Sequence, residues 1–285
     1  MVDPMQLLAS LLALTVAFLA QDLPKELLPP KPEPQRVLAK VDGQPIRASD
    51  VEPFLWDWRG AEVLNDLISY RTVLAYARKE GVTVTAEEIR EELNKQLGEV
   101  LANEPKGEDV DARIRREGFP RSRLWLRVHS QLLVDRMLLR SFDPANFVKV
   151  STIVVRKDGD DADAVAAAAA KAKDLHERLT KGLAWADALK EVTDDARVLS
   201  SQGAIGWKLL SAFSTSTAAE LRALKLGGIT KPSLTANGFQ IFRLDAVGSE
   251  AKGAELQELK ALYLFSERPA LLRRIQEAIP VEVAR

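Results

Sequence analysis

Apolar and polar positions follow two different rhythms along this chain, and the change of rhythm divides it. Val63, Leu64, Leu67, Ile68, Leu74 and Tyr76 recur at helical spacing over 61–80, and Gly81 stands where a helix C′ residue belongs. Thr85 and Glu88 form a capping-box pair (TAEE) that predicts a helix running to about Leu101. NEPKGED at 103–109 reads as a loop. A long helix is predicted over 121–140, with Leu124, Val128 and Leu132 on its inner side, Met137 extending that surface, and Asp143–Pro144 ending it. Upstream, VDGQPI at 41–46 predicts a short extended segment with a turn, then a helix capped by Ser49 or Asp50.

The second half reads differently. VKVSTIVVR at 148–156 is short and β-branched, a strand by composition. An acidic turn at 158–163 leads into an alanine-rich helix ending near Gly182, and a second helix is predicted over Trp185–Val192. TDDARVLSSQGAIGW at 193–207 reads as a Ser/Gly loop, and Ala218–Leu226 as a short helix ended by Gly227–Gly228. Two strands, Ile229–Leu234 and Phe239–Ala246, are joined by a turn at 235–238. Strand, helices and hairpin within about 100 residues make a small α+β domain. From Gly253 the chain is predicted helical again, broken in two by Pro269. That last helix must bury its apolar face, and the helical first half is the partner available.

Residues 5–20, MQLLASLLALTVAFLA, form an uncharged apolar run followed by the Pro-rich stretch QDLPKELLPPKPEPQR. Its length suits a signal-peptide core or a membrane anchor. The 285 residues carry 40 Lys+Arg against 41 Asp+Glu, so there is no basic excess to drive nucleic-acid binding. Cysteine is absent, which removes disulfides, thiolate nucleophiles and Cys-ligated metals; the two histidines, His129 and His176, do not make a His-rich metal site. DGDDAD at 158–163 fails as an EF-hand, because position twelve is Ala169. No P-loop, GxGxxG, HExxH or GxSxG occurs. No cofactor is expected.

Several pieces of the second half fall in the order of a known pattern: TIVV at 152–155, GLAWADAL at 182–189, TDD at 193–195, QGAIGW at 202–207, ALKLGG at 223–228 and NGFQIF at 237–242. This region resembles the parvulin-type (PpiC, rotamase) peptidyl-prolyl isomerase domain, whose fold is FKBP-like α+β. The first half, through VDGQPI and LAYARKEGVTVTAEEI at 74–89, resembles the helical domain of exported chaperone-foldases of the trigger-factor and SurA/PrsA kind. The resemblance implies a signal peptide or anchor over 1–20, a linker over 21–36, a helical chaperone domain over 37–146, a parvulin-like domain over 147–250, and a C-terminal helix over 251–285 that returns to the N-terminal domain. It implies unfolded or nascent exported polypeptides as partners, a bacterial extracytoplasmic location, and membrane association only through residues 5–20.

Carried over position by position, the two family histidines fall at Thr152 and Gln240, the acidic position at Asp195, and the threonine before the final turn at Thr235. The proline pocket falls at Ile205, Phe213 and Thr217. Rotating an X–Pro bond crosses a barrier of about 18–20 kcal/mol without proton transfer or covalent chemistry. A site helps by gripping the ring, desolvating the amide and holding the twisted geometry through hydrogen bonds. Thr and Gln both donate and accept, but their reach differs from that of histidine. The expected function is therefore a chaperone-foldase with weak or lost isomerase activity. An active peptidyl-prolyl isomerase resting on Asp195, Thr235 and Gln240, and a non-catalytic scaffold or adaptor, are the alternatives.

Each candidate also has a plainer reading. Asp195 reads equally as a cap or solvated loop acid, and Phe213 and Ile205 as ordinary core. Trp207 reads as a core anchor, His176 as solvent-facing and His129 as packed. Phe54, Trp56 and Trp58 read as inter-helix packing or as a client-binding patch.

Overall fold

The computed structural model describes residues 23–101 and 109–283; the apolar run 5–20 and residues 103–108 of the expected loop lie outside them. The chain divides into two compact units, one reaching to Arg140 and resuming at Glu267, the other spanning Ser141–Ser266.

In the first unit, β1 (Val37–Val41) and β2 (Gln44–Arg47) pair as an antiparallel hairpin across the Asp42–Gly43 turn. Helix α1 then runs unbroken over Ala48–Lys79, longer than its sequence pattern predicts. Its first turn is stapled from Asp50, whose carboxylate accepts from the Arg47 N–H at 2.8 Å. Pro53 sits inside the helix without ending it. Next come α2 (Ala86–Leu101), an unexpected short α3 (Val110–Arg116) capped by Asp109, and α4 (Arg121–Leu139). The Thr85–Glu88 box forms as read: Glu88 accepts from the Thr85 N–H at 2.7 Å, and the Thr85 hydroxyl accepts from the Glu88 N–H at 3.2 Å.

The buried stripe of α4 is Trp125, Val128, His129, Leu133, Val134, Met137 and Leu138, about one residue round from the Leu124–Val128–Leu132 line predicted for it. It meets Tyr70, Val73, Leu74 and Ala77 of α1 and Ile89, Leu93 and Leu97 of α2 in the core of this unit. His129 is buried, and its Nδ1 lies 3.1 Å from the Tyr70 hydroxyl. The C-terminal helix α9 (Ala254–Ala278) is continuous through Pro269, correcting the predicted break. Pro269 lacks one N–H, and the carbonyl it would have met belongs to Phe265, which is 82% exposed and open to solvent. The part of α9 in this unit buries Leu271 and Ile275, and Arg268 reaches Asp135 of α4 at 2.5 Å.

In the second unit, β3 (Phe147–Arg156) is one of the two central strands of an antiparallel sheet ordered β4-β3-β6-β5, with β4 at Ala204–Leu209, β5 at Ser233–Thr235 and β6 at Gly238–Val247. Between β3 and β4 lie α5 (Ala162–Thr180), α6 (Trp185–Lys190) and α7 (Ala196–Ser200); α8 (Thr215–Ala223) follows β4. Segment 193–207, expected to be a loop, thus contains both α7 and the start of β4. The predicted strand over 229–234 is mostly irregular: Ile229 makes a single bridge to Arg243, and regular pairing starts at Ser233.

Period-two alternation gives the sheet two apolar faces. Ile153, Val155 and Ile241 pack with Ala168, Ala172 and Leu175 of α5 and with Trp185, Ala188 and Leu189 of α6. The small side chains of α5 let it lie close on this face. Val148, Val150, Phe242 and Leu244 pack with Leu210 and Leu221 on the other side. Trp207 is buried beside Phe147 and Leu259, as an anchor should be.

Candidate functional site

The sheet register decides which candidate residues meet. Thr152 pairs with Phe242 and Val154 with Gln240 across β3 and β6. Thr152 and Gln240 are therefore diagonal neighbours on one sheet face, both half-buried, with Phe242 and Val154 completing the quartet. The Thr152 hydroxyl leans on the backbone, donating to the Ile241 carbonyl at 3.4 Å. Phe213 stands edge-on to Phe242, ring centroids 5.1 Å apart and planes at 82°. The result is an aromatic floor next to two polar side chains. Phe242 was not among the residues singled out, although alternation along β6 from Gln240 already placed it on that face.

The other candidates do not join this group as expected. Asp195 caps α7: its carboxylate accepts from the Arg197 N–H at 2.9 Å and takes the Arg197 guanidinium at 3.4 Å. These hydrogen bonds, led by the backbone one, hold its pKa below the ordinary aspartate value and keep it ionised. The Thr235 hydroxyl donates to the Gly238 carbonyl at 2.8 Å and so closes the β5–β6 turn. Thr217 is buried, with its hydroxyl accepting from Ser214 at 2.9 Å within the cap of α8. Ile205 is 38% exposed at the irregular step of the β3–β4 ladder.

Gly203 fixes the approach of this region to β3. The Thr152 N–H donates to the Gly203 carbonyl at 2.8 Å, and a β-carbon added at Gly203 would lie 2.3 Å from the Thr152 carbonyl oxygen. The preceding carbonyl, Gln202, accepts the Trp185 indole N–H at 2.9 Å. No residue but glycine fits that gap.

Elsewhere, His176 is half-buried on the wall of a cavity described below. Phe54, Trp56 and Trp58 are 54%, 72% and 71% exposed, so the inter-helix packing read for them is not what they do. Among the described residues no helix is long and apolar enough to cross a membrane, and no cluster of three or more His, Asp or Glu side chains is placed to hold a metal ion.

Residues 153–246 match the family model for the rotamase (PPIC-type PPIASE) domain. The chain is 23% identical over 232 residues to the chaperone SurA of Pseudomonas syringae pv. tomato, covering 74% of this chain and 52% of that one. It is 24% identical over 230 residues to the foldase protein PrsA of Caldanaerobacter subterraneus subsp. tengcongensis, covering 75% and 67%. It thus spans about half the length of the SurA relative. Among solved structures, PrsA of Bacillus cereus is similar over 89% of this chain and 95% of that one, at 15% identity and a TM-score of 0.47. Residues 153–246 thus carry the pattern of a PpiC-type, parvulin-like rotamase domain, and about three quarters of the chain is similar to SurA and PrsA proteins.

Proposed function

We propose that this protein is an extracytoplasmic bacterial chaperone-foldase that binds unfolded or proline-containing polypeptides, with isomerase turnover weak or lost. The observation that carries the reading is the polar pair on the β3–β6 face. Thr152 and Gln240 stand where the parvulin pattern has histidines, and the Thr152 hydroxyl is directed at the Ile241 carbonyl. The twisted amide needs donors held toward it. A hydroxyl drawn to the backbone and a flexible carboxamide are poorly organised for that task. Asp195 and Thr235 do not replace them, since both side chains are spent on local structure. What this face keeps is apolar grip from Phe213 and Phe242, which supports binding without fast rotation.

A second surface supports the chaperone role. Leu55, Trp56 and Val63 of α1, with Pro32 and Pro34 of the linker, line an apolar groove of about 500 Å³. Phe54, Trp58, Leu64 and Leu67 are exposed along the same stretch of α1. Adjacent exposed aromatic and aliphatic groups on a monomer mark an interaction surface. The apolar run 5–20 and the likeness to SurA and PrsA support export, and the mass of the N-terminus of protein recovered from the cell envelope tests it.

The deciding experiment is a cis/trans proline-peptide assay on the full chain. The wild type should turn over far more slowly than an ordinary parvulin, and Thr152→His with Gln240→His together should raise kcat/KM at least tenfold. Wild-type turnover at the level of an ordinary parvulin would overturn the reading of a degenerate site.

A further inference from the structure

The second unit holds a cavity of about 710 Å³ away from the Thr152–Gln240 pair. One wall is α5 and the entry to α6, through Leu179, Leu183 and Trp185; the other is α8, through Glu220, Ala223 and Leu224. The floor is the edge segment Gly227–Lys231 with Arg243 of β6 beneath it. Arg243 is fixed from two sides, by Asp245 at 2.7 Å and by the Trp185 ring at 4.8 Å. The floor is thus stiff.

The hydrogen bonds of the edge give the cavity its chemistry. Leu244 N–H donates to the Gly228 carbonyl at 2.9 Å, and Thr230 N–H donates to the Phe242 carbonyl at 2.8 Å. Ile229 lies opposite Arg243 between those two bonds. In an antiparallel pair the residue between them turns its own N–H and C=O away from the partner strand. The Ile229 N–H and C=O are therefore turned away from β6, at a residue that lines the cavity. Lys231 is next in the same phase, and its N–H donates to the Glu220 carboxylate at 2.8 Å. A side-chain oxygen stands where the carbonyl of an added strand would sit.

We infer that this cavity is a second polypeptide site, which takes an extended, proline-poor segment by β-strand addition at Ile229–Lys231. The occupant is a main chain, because the edge offers the N–H and C=O of Ile229 together with the Lys231 N–H instead of one polar point. Proline is disfavoured, since it lacks the N–H that the Ile229 carbonyl needs. Every second side chain of the added strand faces Leu179, Leu183 and Trp185, so those positions favour apolar residues. Glu220 acts as a built-in competitor that an incoming carbonyl displaces. The volume is within the about 300–1,000 Å³ typical of ligand pockets, room for part of an extended segment. The inference rests on the reading above only in taking polypeptides as the ligand class.

The test uses the full chain, a capped seven-residue peptide of alternating threonine and valine, and the same peptide N-methylated at every second residue. Titration followed by backbone amide NMR should move the Ile229 and Lys231 amides and the Trp185 indole. The methylated peptide should bind at least about tenfold more weakly, the loss of two main-chain hydrogen bonds. Glu220→Ala, which frees the Lys231 N–H, should tighten binding about threefold, a direction that damage to the fold does not produce. Equal binding of the two peptides, shifts confined to Phe213 and Gln240, or no binding at millimolar peptide would each overturn the inference. If in that case the chain still suppressed aggregation of an unfolded protein, the chaperone reading would stand without this site.

Discussion

Gly203→Ala tests the close approach that holds β4 and α7 to β3. Gly203 has φ +70°, so alanine there adopts the left-handed region at a cost of about 1 kcal/mol. Its β-carbon would also lie 2.3 Å from the Thr152 carbonyl oxygen, a backbone atom in β3 that cannot rotate aside. Forcing β3 and the Gly203 turn apart adds the about 1–3 kcal/mol typical of overpacking and weakens the 2.8 Å bond from Thr152 N–H. Gly227→Ala is the matched control. Its φ is +81°, but nothing lies within 4 Å of the added β-carbon, so it carries the conformational cost alone. Urea unfolding followed on the Trp185 indole N–H resonance reports this unit, because that N–H bonds the Gln202 carbonyl at 2.9 Å. Gly203→Ala should lower stability by about 1–3 kcal/mol more than Gly227→Ala does. Equal losses would refute the claim that close approach, and not φ, demands glycine at 203.

Glu88 should give the helical unit a pH-dependent clamp. Hydrogen bonds from Arg136 first, then from the Thr85 backbone, lower its pKa to about 2 from 4.5. A depressed carboxylate stabilises fully above its unfolded value and loses that contribution as pH falls from about 4.5 toward 2. The shift corresponds to an upper bound of about 3.4 kcal/mol, reduced by screening to about 1–1.5 kcal/mol because the side chain is 38% exposed. Glu88→Gln should therefore cost about that much at pH 7 and nearly nothing at pH 2 in parallel urea titrations; a constant gap would refute the linkage. Trp56→Ala with Trp58→Ala should change stability by less than about 1 kcal/mol, since both rings are more than two-thirds exposed, yet reduce suppression of aggregation of an unfolded protein several-fold. A large stability loss with unchanged suppression would return these rings to a packing role.

Short-range patterns were legible wherever local chemistry dominates. The Thr85–Glu88 box and the β-branched run of β3 need only neighbours in sequence, and they form where the residues indicate. Segment 193–207 reads as a loop because α7 is only a single turn, and because β4 is paired through tertiary register with β3 in spite of the glycine within it. The stripe of α4 was misplaced because leucines occur all round that helix. Which of them are buried depends on where α1 and α2 stand.

The amino-acid sequence alone determined that an α+β unit of parvulin pattern lies in the second half, and that the chain's two histidines, His129 and His176, lie outside the segments that carry that pattern. Those facts are covalent and need no geometry. Tertiary structure decided the rest. It paired Thr152 with Phe242 and so set Gln240 and Phe213 beside them, because register is a long-range property. It spent Asp195 and Thr235 on a cap and a turn, where the nearest unsatisfied backbone groups lay. It left Trp56 and Trp58 in solvent, because the buried part of α1 beyond its first residue starts at Tyr70, where α4 meets it. It also turned the Ile229 peptide groups outward, since the outer strand of an open sheet has a partner on only one side.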